Sequence, residues 1–111
     1  MKLSIVICTW NRSSLLAQTL EQFTRLRVPE HSTWEVLIVN NACTDDTDAV
    51  IKRFDGSLPI RRLFEAVAGH THARNCAIRH ATGDLLIWTD DDVLVSEDWL
   101  TRYEEAYARY P

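Results

Sequence analysis

Three consecutive carboxylates, Asp90, Asp91 and Asp92, are the sharpest chemical feature of the sequence. In an extended chain alternate side chains share a side, so Asp90 and Asp92 point one way and Asp91 the other. Two carboxylates on one side repel each other unless a positive group lies between or beside them. A hard divalent cation answers that need: Mg2+ or Mn2+ would take one or two of these oxygens and fill its shell with water and phosphate oxygens. A solvated acidic loop before a helix is the plainer reading of three aspartates. Their position straight after an apolar, strand-like run favours the metal.

A second candidate is Gly69-His-Thr-His-Ala-Arg-Asn75. It sets Arg74 in the first turns of a helix pattern, where a guanidinium can reach a phosphate or carboxylate with forked bonds. The bland alternative is an exposed helix start with a surface arginine. His70 and His72 lack a third ligand at metal-binding spacing. Two further polar clusters follow strand-like runs: Thr9, Asn11 and Arg12, then Asn40, Asn41 and Asp45. Cys43 and Cys76 have no visible activating partner and read as small packing residues.

The elements that must position these groups alternate. Residues 3–8 and 34–39 are nearly continuous apolar runs, as in strands buried on both faces. Residues 60–64 form a shorter strand whose two arginines suggest an edge, and residues 84–88 a fourth. Between them, Leu16, Leu20, Phe23 and Leu26 recur at helical spacing, with Asn11 or Ser13 as cap and Pro29 beyond. Val50, Ile51 and Phe54 give a second helix its apolar face, starting at Thr44. Residues 72–81 read as a third. A last helix opens at Ser96 and carries Trp99, Tyr103, Tyr107 and Tyr110 along one side. Residues 40–44 read as a turn.

This βαβα order predicts an α/β fold: a Rossmann-like, mostly parallel sheet with helices on both faces, forming one domain over residues 1–111. Ligands in such sheets bind beyond the carboxyl ends of the strands, where the three polar clusters lie. No G-x-G-x-x-G or G-x-x-x-x-G-K-[ST] loop is present, which excludes a dinucleotide-binding enzyme and a P-loop NTPase. With 12 Lys and Arg against 16 Asp and Glu, net charge −4, nucleic acid is not an expected partner. Three unpaired thiols, no signal-peptide pattern and no apolar run near 20 residues point to the cytoplasm, with attachment to a membrane surface left open.

Four segments together resemble glycosyltransferase family 2, which has the GT-A fold. They are Ser4-Ile-Val-Ile-Cys-Thr-Trp-Asn-Arg12, Glu35-Val-Leu-Ile-Val-Asn-Asn-Ala-Cys-Thr-Asp-Asp-Thr47, Gly69-x-x-x-Ala-Arg-Asn-x-Ala77 and Ala81-Thr-Gly-Asp-Leu-Leu-Ile-Trp-Thr-Asp-Asp-Asp92. The last resembles the approach to the family's D-x-D motif. The resemblance covers nearly the whole chain. It implies a nucleotide-diphosphate sugar as donor, with Thr9, its neighbours Asn11 and Arg12, and Asn40 and Asn41 around the base and ribose. It puts Arg74 near the nucleotide, Asp90 and Asp91 on the ribose and sugar side, and Asp92 on the metal that bridges the diphosphate. Asn40 stands where the family usually has Asp; its amide can still accept a hydrogen bond but adds no charge.

The chain is expected to be the donor half of the enzyme, incomplete at the C-terminus. The family's acceptor half, with its general base, has no counterpart in it. The acceptor, a glycan or lipid-linked sugar by resemblance to polysaccharide-building members, is not specified. A second copy or the further half would cover the terminal aromatic stripe. Two other readings compete. One is a non-catalytic module that binds nucleotide or a partner protein. The other rests on Leu86-Ile-Trp-Thr-Asp-Asp-Asp-Val93, which is also similar to the opening motif of haloacid-dehalogenase-like phosphohydrolases. There Asp90 would be the nucleophile and Asp92 the acid, but too few residues follow for that family's later motifs.

Overall fold

The computed structural model describes residues 1–109. Strands β1 (Lys2–Thr9), β2 (Thr33–Asn41), β3 (Ile60–Glu65) and β4 (Leu85–Thr89) alternate with helices α1 (Ser13–Phe23), α2 (Thr47–Phe54), α3 (His70–His80) and α4 (Trp99–Arg109). The strand order is β3-β2-β1-β4, and every neighbouring pair is parallel. The expected α/β architecture is therefore present. All four carboxyl ends meet one rim of the sheet.

The two central strands are the two longest apolar runs. Leu3, Ile5, Val6, Ile7 and the four residues 36–39 are fully buried, because helices cover both faces. On one face Leu3, Ile5, Ile7, Val36 and Ile38 pack with Leu16, Leu20 and Phe23 of α1, with α2 and with Leu100 of α4. On the other, Val6, Leu37 and Val39 meet Ala73, Cys76 and Ala77, the small residues of α3. β3 is an edge, as its arginines suggested. Arg62 forks onto Asp48, both bonds at 2.9 Å, and lies 5.3 Å over the Phe64 ring.

Several boundaries differ from the sequence reading, each for a local reason. α1 stops at Phe23 because Arg25 and Leu26 donate to Gln22 and Phe23, three residues back, which tightens the chain out of the helix. Its cap position is Arg12, and neither Asn11 nor Ser13 caps it through a side chain. The cap position of α2 is Asp46, not Thr44, and it makes no side-chain cap bond; the Thr47 amide donates instead to Asp45, one residue before the cap, at 3.1 Å. Asn40 and Asn41 belong to β2 rather than to a turn, since pairing with Phe64 and Glu65 carries the strand through them. α3 begins two residues early, at His70. α4 begins at Trp99, and Ser96 donates to the Asp98 carboxylate instead of capping the helix. Of the aromatic stripe, Trp99 packs into the core, 5.8 Å from Phe23 and 5.4 Å from Tyr103. Tyr103 and Tyr107 are exposed, and Tyr110 lies outside the described residues. Among the described residues, no helix is long and apolar enough to cross a membrane.

At the amino end of the sheet a buried carboxylate ties four segments together. Glu35 of β2 accepts from Ser4 Oγ at 2.6 Å, from the Thr82 amide and hydroxyl at 3.1 Å, and from Arg61 Nη1 at 2.9 Å. Gly83 leads β4 into this knot and donates to Ser4 Oγ at 2.8 Å. A Cβ on Gly83 would stand 2.3 Å from Ser4 Oγ and 2.7 Å from the Ser4 nitrogen. The second contact is backbone and cannot swing aside. Gly83→Ala is therefore expected to destabilise the fold by about 3 kcal/mol and to lower the melting point by more than ~10 °C. Thermal unfolding followed by circular dichroism checks this; a shift of only a degree or two would contradict the close approach.

Candidate functional site

The loops after β1 and β2 are stitched to each other before they meet any ligand. Asn11 takes a left-handed backbone, φ 52°, which asparagine tolerates. Its Oδ1 accepts from the Thr44 amide at 2.7 Å and the Asp45 amide at 3.3 Å. The Cys43 thiol donates to the Thr9 carbonyl and accepts from the Asn11 amide, each at 3.3 Å. Asp45 accepts from the Ser13 amide at 3.1 Å. Burial alone would raise the Asp45 carboxyl, but its bonds from Thr47 and Ser13 outweigh that and hold it below the usual range.

Asn40 and Asn41 sit beneath these loops, buried, with both ends of each amide engaged. Asn40 donates to Asp48 at 2.8 Å and accepts from the Cys43 amide at 2.9 Å. Asn41 donates to the carbonyls of Glu65 and Val67 and accepts from the Gly69 amide at 3.0 Å. These side chains hold the loops in place, and Asn41 also lines the cleft described below. Loop amides and carbonyls at a strand end need partners, and these side chains supply them.

The acidic turn faces the end of β1. Asp90 and Asp92 are exposed and Asp91 is buried, so the alternation read from the sequence holds although the chain turns at 91–92 rather than extending. Asp91 is turned inward, where Thr9 Oγ1 donates to its carboxylate at 2.9 Å and Thr19 donates to its carbonyl at 2.9 Å. Burial raises the Asp91 carboxyl above its ordinary range, opposed by the Thr9 bond and by Arg12. Arg12 bridges the turn, with Nη1 3.2 Å from Asp91 and Nη2 2.7 Å from Asp92. The Asp92 bond first, then Asp91, push the guanidinium further up.

Between this turn and α3 lies a cleft in two joined parts that share Cys8 and His70. The larger, about 470 Å³, runs past Thr9, Trp10, Asn41 and Gly69. The smaller, about 220 Å³, is bounded by Arg74, Trp88, Thr89 and Asp90. Gly69 holds φ 135°, open in practice only to glycine, and this sets the amino end of α3 over the cleft. Arg74 stacks 4.9 Å over the Trp88 ring. Burial pushes the Cys8 thiol on the floor up to about 11, partly offset by Arg74, so it is protonated at neutral pH and no nucleophile. Among the lining residues that escaped the sequence reading as site residues are Trp10, 60% exposed at the mouth, His70, considered only as a metal ligand, and Trp88 beneath Arg74. The signal available for Trp10 was a large aromatic directly after a buried strand, on a loop at the carboxyl rim.

The structure brings Thr9, Arg12, Asp91 and Asp92 into one bonded group, and Arg74 and Asp90 to one wall. Among the described residues no three of His, Cys, Asp and Glu gather to hold a metal by themselves. Mg2+ or Mn2+ needs only one or two carboxylates when phosphates and water complete its shell, and exposed Asp90 and Asp92 fit that role. A flat exposed indole, two arginines and a carboxylate pair on one rim suit a ligand with a ring at one end and a metal-bridged anion at the other.

Comparison with known proteins supplies the family. The family model described as glycosyl transferase family 2 matches residues 4–111. The succinoglycan biosynthesis protein ExoM of Rhizobium meliloti (strain 1021) is 33% identical over 108 residues, which are 95% of this chain and 34% of that protein. The validoxylamine A glucosyltransferase of Streptomyces hygroscopicus subsp. jinggangensis (strain 5008) is 32% identical over 108 residues, 96% of this chain and 25% of that one. Among solved structures, S. aureus TarS 1-349 superposes with a TM-score of 0.88 at 20% identity, covering 99% of this chain and 33% of that one. The mannosyltransferase PcManGT from Pyrobaculum calidifontis, in complex with GDP-Man and Mn2+, gives 0.78 at 29% identity, covering 86% and 29%. The chain thus spans about a quarter to a third of the length of these relatives. The parallel sheet is shared with these GT-A neighbours; because the family match runs from residue 4 through the acidic turn to residue 111, the phosphohydrolase reading is set aside and the chain belongs to glycosyltransferase family 2.

Proposed function

We propose that this chain binds a nucleotide-diphosphate sugar in the cleft between the 90–92 turn and α3, and that the protein containing it transfers the sugar to an acceptor hydroxyl. The observation that carries the reading is the convergence of Arg74, Asp90 and Trp10 on one cleft beside the Arg12–Asp92 pair at 2.7 Å. PcManGT, a relative in fold and sequence, holds GDP-Man and Mn2+, which supports both the ligand class and the cation.

Trp10 offers a face on which a base can stack. Arg74, poised over Trp88, reaches phosphate oxygens from the α3 side. Asp90 and Asp92 would hold Mg2+ or Mn2+. Such a cation, when bound, neutralises the charge that builds on the departing diphosphate. In the transfer, the bond from the sugar carbon to phosphate oxygen breaks, a bond to the acceptor oxygen forms, and the hydroxyl proton passes to a general base. The chain's own contribution is to the leaving side: it fixes the diphosphate and stabilises developing negative charge with preorganised donors. A growing glycan or a lipid-linked sugar is the acceptor we infer, since the relative ExoM is named for succinoglycan biosynthesis.

Calorimetric titration of UDP, GDP and dTDP into the folded chain, with and without Mn2+, tests the reading. One of the three is expected to bind, and only with metal. Arg74→Ala should weaken that binding about tenfold, as loss of a charge-assisted bond to phosphate. A folded sample that binds none of them would refute the donor site.

A further inference from the structure

Arg12 holds a position that a metal would contest. Its Nη2 lies 2.7 Å from Asp92 Oδ2 and its Nη1 3.2 Å from Asp91 Oδ1. The two carboxylates are not equally free. Asp91 is 3% exposed, with Thr9 on its other oxygen and Thr19 on its carbonyl, so the turn is anchored from inside. The Asp92 side chain is 42% exposed, and among the described residues Arg12 is its one hydrogen-bond partner. Arg12 is likewise half-exposed, at the cap position of α1. The guanidinium thus neutralises the turn from the side open to solvent. A cation arriving at Asp92 meets a like charge already seated there.

We propose that Arg12 is a built-in counterion that occupies Asp92 until a nucleoside diphosphate arrives. The diphosphate then draws the planar fork of Arg12 onto its own oxygens and releases Asp92 to the metal. Cation and nucleotide therefore bind together and each poorly alone, with one coupling factor acting in both directions. Arg12 is a positioning residue in this scheme, and it makes the binding of metal conditional on donor. The inference rests on the proposed donor site.

The test is electron paramagnetic resonance of free Mn2+ titrated with the chain, alone and with UDP, GDP or dTDP, each corrected for Mn2+ held by the nucleotide itself. The wild type should bind Mn2+ weakly without nucleotide and at least tenfold more tightly with the one that binds. Arg12→Gln should bind nucleotide-free Mn2+ about tenfold more tightly than wild type, and adding Asp92→Asn should remove that gain. The nucleotide's enhancement of Mn2+ affinity should shrink by a similar factor in Arg12→Gln. Should Arg12→Gln fail to fold, Arg12→Lys replaces it, since a single ammonium cannot fork across both carboxylates; a gain of about threefold is then expected. Mn2+ affinity and enhancement equal to wild type in the folded variant would overturn the inference while leaving the donor site standing. Absence of Mn2+ binding by wild type with any of the three nucleotides would overturn both.

Discussion

Asp92→Ala is expected to weaken Mn2+-dependent nucleoside diphosphate binding by at least ~100-fold, the upper range for loss of a group that merely orients a metal ligand, while barely changing the melting point. Asp92 is half-exposed and its pair with Arg12 is a surface pair, worth about 0–1 kcal/mol. Its removal leaves no buried group without a partner, because Asp91 keeps both Thr9 and Arg12. Neighbouring Asp91 behaves in the opposite way. Asp91→Ala strips the partner from the buried Thr9 hydroxyl and from one end of Arg12, and should cost stability before it costs affinity. Calorimetry and a melt on the two variants separate these effects. Retention of metal-dependent binding by Asp92→Ala would move the metal to Asp90 alone.

Glu35 carries the second large effect, on stability, at the far end of the sheet. Burial pushes its carboxyl up, but the bonds from Ser4, Arg61 and Thr82 outweigh that and bring it down to about 2 from an ordinary 4.5. A carboxyl lowered in the folded state contributes stability that is complete above the unfolded value and is lost as pH falls through the folded one. The window is therefore pH 4.5 down to about 2, and the loss across it about 3 kcal/mol. Glu35→Ala should forfeit about 3 kcal/mol at neutral pH, since Ser4 and Thr82 lose their acceptor and Arg61 its ionic partner, keeping only the His80 carbonyl. Urea unfolding at a series of pH values checks both points: the variant should unfold early at pH 7 and show a flatter acid limb. A variant as acid-sensitive as wild type would place the acid response in another carboxylate.

How much of this could be read from residues alone depended on how local the physics was. β1 and β2 announce themselves because a strand buried on both faces must be apolar throughout. The location of the site followed from the rule that parallel sheets bind at their carboxyl ends. The pairing of β1 with β4 was not readable, since no local pattern states which strands become neighbours. Glu35 looked like one polar residue in an apolar strand, and its partners stand at positions 4, 61 and 82. Asn40 and Asn41 have the types and places that suit a ligand contact, and Asn41 lines the cleft. Their bonds to the loops were not readable, because the course of those loops is set by tertiary structure. Trp10 was visible but had no periodicity to single it out, and only the open cleft beside it gives it a role.

The parallel contact between β1 and β4 has a consequence for how the chain comes together in time. β1, α1 and β2 are consecutive and can pair as soon as they leave the ribosome. The Thr9–Asp91 bond spans 82 residues, so it closes a long loop, and contacts of that separation form late and slowly. Until β4 docks, Thr9 and Arg12 face a rim without its acidic turn. The acidic turn joins the rim only once that long loop has closed.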